Sequence, residues 1–379
     1  MRAFRFRLYP SRSQRALLDD HRVLAKGLWN SLLEYVKAEY DKTGKFPSKG
    51  ELDRLTKRSG LYSQAAQVVA HRLHYSLRRI GQMRKLGKQS GFPRFKPVER
   101  VKSLHYPQSG FSLVAGGKLK VTPFGEICIR KHRELNGSVK GLTLKRESSG
   151  KWFAIFNVEE EQVLPRVNRG DRVGVDMGLM RFATLSNGES IENPRLYQHA
   201  QARLGVLQRE LSRRKKGGKN RARTKVRLAR AFERVDNARL DFLHKASREL
   251  VELYSFVALE ALAPGVMVQE RFGKSILDAS WATFADFVCY KAVEAGCTVK
   301  FVNPRGTTKT CSACGNQQDV PLGQRTYCCP CCGLNLDRDV NAAINILAKA
   351  TAGTAGSHAW GDEAGALSMS QETSRLSGR

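Results

Sequence analysis

Six cysteines crowded into the stretch from Cys311 to Cys332 constrain this chain more than any other feature of its sequence. Cys311-Ser312-Ala313-Cys314-Gly315 and Cys329-Pro330-Cys331-Cys332-Gly333 are both C-x-x-C-G knuckles, and 14 residues lie between Cys314 and Cys329. Clustered cysteines in a reducing compartment are metal ligands before they are disulfides, and this spacing suits a tetrahedral four-cysteine zinc ribbon. Such a zinc ion is structural, because four thiolates leave no open position for water. The second knuckle admits two registers, since Cys328 and Cys331 also stand as C-x-x-C. Cys329 and Cys332 are preferred because Gly333 then matches Gly315, and a glycine allows a left-handed turn after each knuckle. The plainer alternative is a set of buried free thiols. Cys128, Cys289 and Cys297 lie scattered elsewhere.

The charge balance is as informative as the cysteines. Sixty-five Lys and Arg against 35 Asp and Glu leave a formal charge of +30. A folded chain with that much self-repulsion calls for a polyanion to neutralise it, and the spread of the excess along the chain favours a long nucleic-acid track over one basic arm. No segment has the ~20 consecutive apolar residues that a membrane span requires. The start, Met1 to Arg7, alternates charge with aromatics and lacks the apolar run of a signal peptide. The expected location is the cytoplasm, associated with the nucleoid in a prokaryote, with no membrane partner.

Hydrophobic periodicity divides the 379 residues into modules. Phe4, Phe6 and Leu8 alternate with Arg5, Arg7 and Tyr9 in a strand ended by Pro10. Residues 11–90 read as a helical block, with a helix start near Ser11 or Ser13 and a capping box at Ser48 and Glu51. From Gly91-Phe92-Pro93-Arg94-Phe95-Lys96 to about 165, short alternating runs between Gly-rich turns predict an antiparallel β-barrel, which residues 1–10 complete. Residues 166–306 and 334–350 read as an α/β domain interrupted by the ribbon at 307–333. Its predicted strands lie at 172–186, 188–191, 256–259 and 299–302. Its predicted helices lie at 195–216, 219–253, 280–295 and 341–350. Gly, Ala, Ser and Thr dominate beyond Thr351, so 351–379 is expected to be a disordered tail. The expected fold class is therefore α/β with all-β and helical modules.

Three acids stand out at element ends. Asp176 follows the apolar run Val173-Gly174-Val175 and precedes Met177-Gly178. Glu260 follows Phe256-Val257-Ala258-Leu259. Asp339 sits two residues after Asp337 at the head of the last helix. Each has an ordinary explanation taken alone: a structural Asp or a helix cap, a strand meeting solvent, a carboxylate favoured by the helix dipole. Together, three hard carboxylates in a basic chain suit two Mg²⁺ ions gripping one phosphodiester.

The stretch from Arg213 to Arg234 carries eleven Lys and Arg against the single acid Glu233. A solvated helix face normally carries both signs, so Arg213, Arg214, Lys215, Lys216, Lys219, Arg221, Arg223 and Lys225 are candidate phosphate contacts. Arg94 and Lys96, interleaved with Phe92 and Phe95, are candidates for tracking or stacking on a strand; a barrel strand explains them equally.

In combination these segments resemble the TnpB family, nucleases of insertion sequences related to type V CRISPR effectors. The resemblance rests on Gly174–Leu179, Val257–Leu262, Thr307–Gly315, Cys329–Gly333 and Asp337–Asn345 in that order, with Phe4–Pro10 and Gly91–Lys96 matching more loosely. It spans about residues 1–350. Thr308 stands where the family more often has Ser, and the doubled cysteines blur the ligand register. The resemblance implies an RNase H-like, RuvC-type nuclease domain with Asp176, Glu260 and Asp339 as its acids. It further implies a β-barrel wedge domain at 1–10 and 91–165, a helical recognition domain at 11–90, a guide RNA from the transposon end and a double-stranded DNA target. Three rivals predict different things. A non-cutting RNA-guided regulator lacks at least one acid, a transposase joins strands, and a zinc-ribbon RNA-binding protein leaves the carboxylates unexplained.

Overall fold

The computed structural model describes residues 1–160, 165–262, 273–321 and 323–352, and these fall into two compact units that divide near Gln162. The expected disordered tail lies, beyond Ala352, outside the described residues.

In the first unit, β1 (Arg2–Tyr9) buries Phe4, Phe6 and Leu8 and turns Arg5 and Arg7 to the other face. It lies between β5 (Gly125–Arg130) and β7 (Trp152–Glu159), antiparallel to both. The N-terminal strand is thus an interior member of the sheet, with the one buried face that its alternation predicts. With β2 (Ser103–Tyr106), β3 (Phe111–Val114), β4 (Lys118–Val121) and β6 (Ser138–Arg146), the order is β2-β6-β7-β1-β5-β4-β3. Inward residues from all seven strands share one core, and the Tyr106 hydroxyl on edge strand β2 donates to the Thr122 carbonyl beside β4 at 2.9 Å. The sheet is a nearly closed barrel.

Three helices are inserted between β1 and β2: α1 (Arg12–Thr43), α2 (Lys49–Leu55) and α3 (Ser63–Lys85). Ser11 with Gln14 and Ser48 with Glu51 form capping boxes at the heads of α1 and α2. Leu18 and Ala25 of α1 pack into the barrel core, while Leu28, Trp29, Leu32, Leu33 and Val36 pack against α2 and α3.

The segment from Gly91 departs from expectation, because after β1 the barrel's strands resume only at Ser103. Pro93 and Pro97 have no N–H to give to a ladder. Instead, Trp29 Nε1 donates to the Arg94 carbonyl at 3.2 Å, and Asn30 exchanges bonds of 3.2 and 2.8 Å with the backbone of Lys96. Phe92 packs against Tyr40 and Phe46, so this stretch lies on the helices rather than in the barrel.

In the second unit, a five-stranded mixed sheet has the order β10-β9-β8-β11-β12. Strands β8 (Arg172–Met177), β11 (Phe256–Glu260) and β12 (Thr298–Val302) are parallel, and β9 (Arg181–Leu185) and β10 (Ser190–Glu192) extend it antiparallel. The run at 172–186, read from sequence as one strand, is a hairpin that turns at Gly178–Met180. A side chain at Gly178 would come within 2.8 Å of the Arg181 carbonyl, so the turn requires its glycine.

Parallel neighbours need crossovers. Those here contain α4 (Leu196–Arg213) and α5 (Lys219–Leu253) between β10 and β11, then α6 (Gly273–Ala279) and α7 (Trp281–Ala295) before β12. Helices α5 and α7 cover the sheet face that carries Val173, Val175, Val257 and Leu259. The opposite face, with Ala258 and Val302, packs on Ile346 and Ala350 of α8 (Arg338–Thr351). The ribbon, with its short β13 (Thr326–Cys328) and β14 (Asn335–Asp337), enters between β12 and α8.

Gly174 sets how close α8 comes. A Cβ there would lie 2.0 Å from the Ala343 carbonyl oxygen and 2.8 Å from the Leu347 amide. Backbone cannot yield as a flexible side chain does, so Gly174→Val must push the helix off the strand. Unfolding in urea should show a loss of about 2–3 kcal/mol, at the upper end for overpacking. Gly205→Ala on α4, whose nearest neighbour would be the Arg209 guanidinium at 3.5 Å, should instead gain ~0.5–1 kcal/mol.

Candidate active site and cysteine cluster

Asp176 and Glu260 stand at the carboxyl ends of adjacent parallel strands. The pairing of Val175 with Leu259 makes them next in register, and their parity along the strands matches Gly174 and Ala258, which face α8. Both carboxylates therefore project from the sheet face onto which α8 opens. Asp339 is in the first turn of α8, two residues after the N-cap Asp337. One oxygen of Asp337 accepts from the amides of Asp339 and Val340 at 2.9 and 3.3 Å; the other accepts from Arg181 of β9 at 3.1 Å. Asp337 is thus a capping residue, and Asp339 is left to other contacts. Its Oδ1 lies 3.3 Å from Arg338 Nη2, and its Oδ2 3.8 Å from Arg325 of the ribbon.

The electrostatics tie these acids into one site. Burial raises the Asp176 carboxyl well above the ordinary aspartate range, and the charges of Glu260 and Asp339 raise it further against the opposing Arg338. Burial raises Glu260 too, opposed by a hydrogen bond from Thr307 and by the Lys349 charge. Thr307 Oγ1 donates to Glu260 Oε1 at 2.6 Å. Asp176 and Glu260 are hard oxygen donors in a desolvated setting, which suits divalent cations. The three carboxylates do not close to the mutual separation of the cysteine sulfurs described next.

Among the described residues, Cys311, Cys314, Cys329 and Cys332 are the one group whose ligand atoms all lie within 4.8 Å of one another. Cys311 and Cys332 sulfurs are 3.7 Å apart, and those of Cys314 and Cys329 3.6 Å. A tetrahedron with Zn–S bonds of ~2.3 Å has edges of about 3.8 Å. The geometry therefore fits zinc and is far from a disulfide. The two knuckles are near copies: the Gly315 and Gly333 amides donate to the carbonyls of Cys311 and Cys329 at 3.0 Å, and both glycines have φ near +75°. That symmetry places Cys329 and Cys332, rather than Cys328 and Cys331, in the cluster. Cys328 and Cys331 are exposed.

Sequence reasoning passed over the residues that join the two centres. Asn341 and Asn345 lie one turn apart on α8, 0% and 7% exposed. Their side-chain amides donate to the Thr310 carbonyl at 2.8 and 2.7 Å, and Asn345 also reaches the Thr307 carbonyl at 2.9 Å. The Asn341 side-chain oxygen accepts from the Ser312 amide at 2.9 Å. Two buried asparagines at i and i+4 on an otherwise apolar helix face were the available signal.

The basic run falls on the end of α4, the start of α5 and the turn between them. Arg213, Lys215, Lys216, Lys219, Arg223 and Lys225 are exposed. Arg221 bonds the carbonyls of Leu211 and Arg214 at the end of α4, and Arg214 pairs with Glu210 at 3.0 Å. Arg94 is exposed on the first unit, whereas Lys96 lies with its ammonium 3.0 Å from the Trp29 ring centroid; burial lowers it to about 8.

The raised acids carry a stability consequence. A carboxyl raised in the folded state contributes stability below its unfolded value, and that contribution is lost as pH rises through the folded value. Metal-free protein should therefore lose stability as pH climbs above ~4. Asp176→Asn should melt about 2–4 °C higher than wild type at pH 8, the shift that about 1 kcal/mol gives such a domain, and the gain should vanish in acid. Scanning calorimetry across pH checks both.

Three sequence-family descriptions match the chain: "Probable transposase" (OrfB) over residues 155–271, "Cas12f1-like, TNB domain" over 281–346 and "Helix-turn-helix domain" over 1–45. The last segment here is a strand and one long helix. The TNB match runs from α7 through the ribbon into α8. A Streptomyces pristinaespiralis protein named "Putative RNA-guided DNA endonuclease" is 31% identical over 366 residues, covering 93% of this chain and 90% of the relative. The Escherichia coli protein InsQ, which bears the same description, is 30% identical over 69% of each chain. Among solved structures, the fold is similar to that of a Cas12f1–sgRNA–target DNA complex, with a TM-score of 0.53, 14% identity and coverage of 86% and 82%. It is also similar to the mini-RNA-guided endonuclease CRISPR-Cas_phi3, with a TM-score of 0.51, 9% identity and coverage of 92% of each. The chain belongs to the TnpB family of RNA-guided DNA endonucleases, related to Cas12f.

Proposed function

We propose that this chain hydrolyses target DNA under the direction of a guide RNA, using Asp176, Glu260 and Asp339 as ligands for two Mg²⁺ ions. The observation that carries the reading is the meeting of β8, β11 and the head of α8, which brings three acids to one end of a mixed sheet. In this reading the sheet and its helices are an RNase H-like, RuvC-type domain. Bound ions supply Lewis-acid stabilisation of the phosphodiester oxygens and a water acidic enough to attack near neutral pH. The protein's part is to hold the donors. Asp176, with like charges around it and no described hydrogen-bond donor, offers both oxygens to cations. Glu260 offers its second oxygen, and Asp339 sits where the α8 dipole favours an anion. The products carry 5′-phosphate and 3′-hydroxyl ends.

The four-cysteine cluster holds a structural zinc. The names of the relatives and of the solved complex support a guide RNA and a double-stranded DNA target. Guide pairing then reads sequence, while the protein reads a short flanking motif. The barrel is the wedge domain, α1–α3 the recognition domain, and the exposed cations of α4 and α5 contact phosphate. A transposase reading is favoured by one family description alone. It requires strand-transfer products.

With the co-purified RNA and a matched DNA duplex, Asp176→Ala should abolish cleavage, by at least ~10³-fold given the loss of a shared metal ligand, while RNA binding is kept. Gel analysis of products and filter binding measure the two. Full cleavage by Asp176→Ala would refute the site, and joined strands in place of cuts would favour the transposase.

The zinc assignment has its own check. Cys311→Ser should lower bound zinc below one per chain and destabilise the ribbon, whereas Cys331→Ser should keep one zinc, as measured by metal analysis of purified protein. Zinc loss in Cys331→Ser but not in Cys329→Ser would reverse the register.

A further inference from the structure

Thr307 is 1% exposed, and nothing in the metal chemistry proposed above needs it. Its hydroxyl lies 2.6 Å from Glu260 Oε1 and 2.9 Å from the Pro304 carbonyl oxygen. A threonine hydroxyl has one proton to donate, and an ionised carboxylate is a stronger acceptor than a backbone carbonyl. With Glu260 ionised, as a metal ligand must be, the proton goes to Oε1. That commits one carboxylate oxygen to the protein and leaves Oε2, which accepts no hydrogen bond among the described residues, for a cation.

The hydroxyl is itself held in place. Asn345 takes the Thr307 carbonyl at 2.9 Å, and Asn341 and Asn345 both take the Thr310 carbonyl. The segment that leaves β12 is therefore fastened to α8, the helix that carries Asp339. Donors of this kind fix the orientation of a carboxylate ligand and tune its affinity for metal.

From this geometry we infer that Thr307 is a positioning residue for Glu260, which fixes the carboxylate rotamer that receives the catalytic cation. The inference rests on the reading of Glu260 as a metal ligand, so its test must separate the two.

The experiment uses the full chain with its co-purified RNA, comparing wild type, Thr307→Val, Thr307→Ser and Glu260→Gln. Cleavage is followed as a function of Mg²⁺ concentration, Mn²⁺ binding is measured by electron paramagnetic resonance, and zinc content is recorded. Thr307→Val keeps the side-chain volume but removes the donor. It should raise the half-saturating Mg²⁺ concentration about tenfold and weaken Mn²⁺ binding to a similar degree, with one zinc and RNA binding retained. Thr307→Ser should return both to within about twofold of wild type, since it restores the hydroxyl. Wild-type metal dependence in Thr307→Val, alongside an inactive Glu260→Gln, overturns the role of Thr307 and leaves the site reading intact. An impairment that Thr307→Ser shares, or that comes with loss of zinc, marks a packing role and also overturns it. Wild-type cleavage by Glu260→Gln sinks the site reading and this inference together.

Discussion

Asp176, Glu260, Asp337 and Asp339 repel one another, and the second unit is arranged so that the repulsion does not drive them apart. Two unit charges ~5 Å apart at an effective dielectric of ~20 repel by about 3 kcal/mol, comparable to a sizeable fraction of a domain's stability. Three of the four acids have compensation in the protein. Asp337 is spent on the α8 amides and Arg181, Glu260 takes the Thr307 hydroxyl, and Asp339 lies beside Arg338 with Arg325 further off. Asp176 accepts no hydrogen bond and makes no ion pair among the described residues; only the charge of Arg338 opposes the burial and acidic neighbours that raise its carboxyl well above the ordinary range. A central acid with so little compensation is what the proposed cation site calls for.

The remaining architecture holds these groups against that tendency. The parallel register of β8 and β11 places Asp176 beside Glu260, and the absence of a side chain at Gly174 lets α8 lie directly on β8. The ribbon is interposed between β12 and α8, so an insertion of more than twenty residues separates two elements that must stay together. The asparagine pair on α8 resolves this by binding carbonyls at the ribbon's entrance, and the sulfur cluster closes the excursion a few residues later. A zinc ion held there, as proposed, would limit the conformations open to Thr307 although the cysteines themselves do not touch the three acids.

Much of this was legible in the sequence where the signal was local. An apolar run ending in an acid marked β8 and β11, a serine at a helix start marked α1, a capping box marked α2, and C-x-x-C-G marked both knuckles, with the pair that lies in the sulfur cluster preferred in the second. The hairpin inside 172–186 was not legible. Its turn, Gly178-Leu179-Met180, contains no Asn-Gly or Pro, and Leu179 and Met180 extend the apolar character of the strands through it. Gly91–Lys96 failed for the opposite reason. It has strand-like composition, but Trp29 and Asn30, more than sixty residues earlier, satisfy its backbone and hold it on α1. The roles of Thr307, Asn341 and Asn345 depend on partners 29 to 47 residues away in sequence, and no periodicity encodes those.

The basic hairpin of α4 and α5 shows why charge density overstates the number of ligand contacts. Its small core of Leu204, Leu207, Ala231 and Val235 holds the helices side by side, which forces two rows of cations together. Part of the cost is met internally. Glu210 pairs with Arg214 and Arg227 and accepts from buried Thr224, and Arg221 spends its guanidinium on the carbonyls that end α4. Substituting Arg221 would therefore disturb the hairpin as well as any phosphate it meets. Arg213, Lys215, Lys216, Lys219, Arg223 and Lys225 have no such internal use among the described residues. The cations that report on a polyanion are those the fold leaves without a task, and they cluster at the turn where α4 ends and α5 begins.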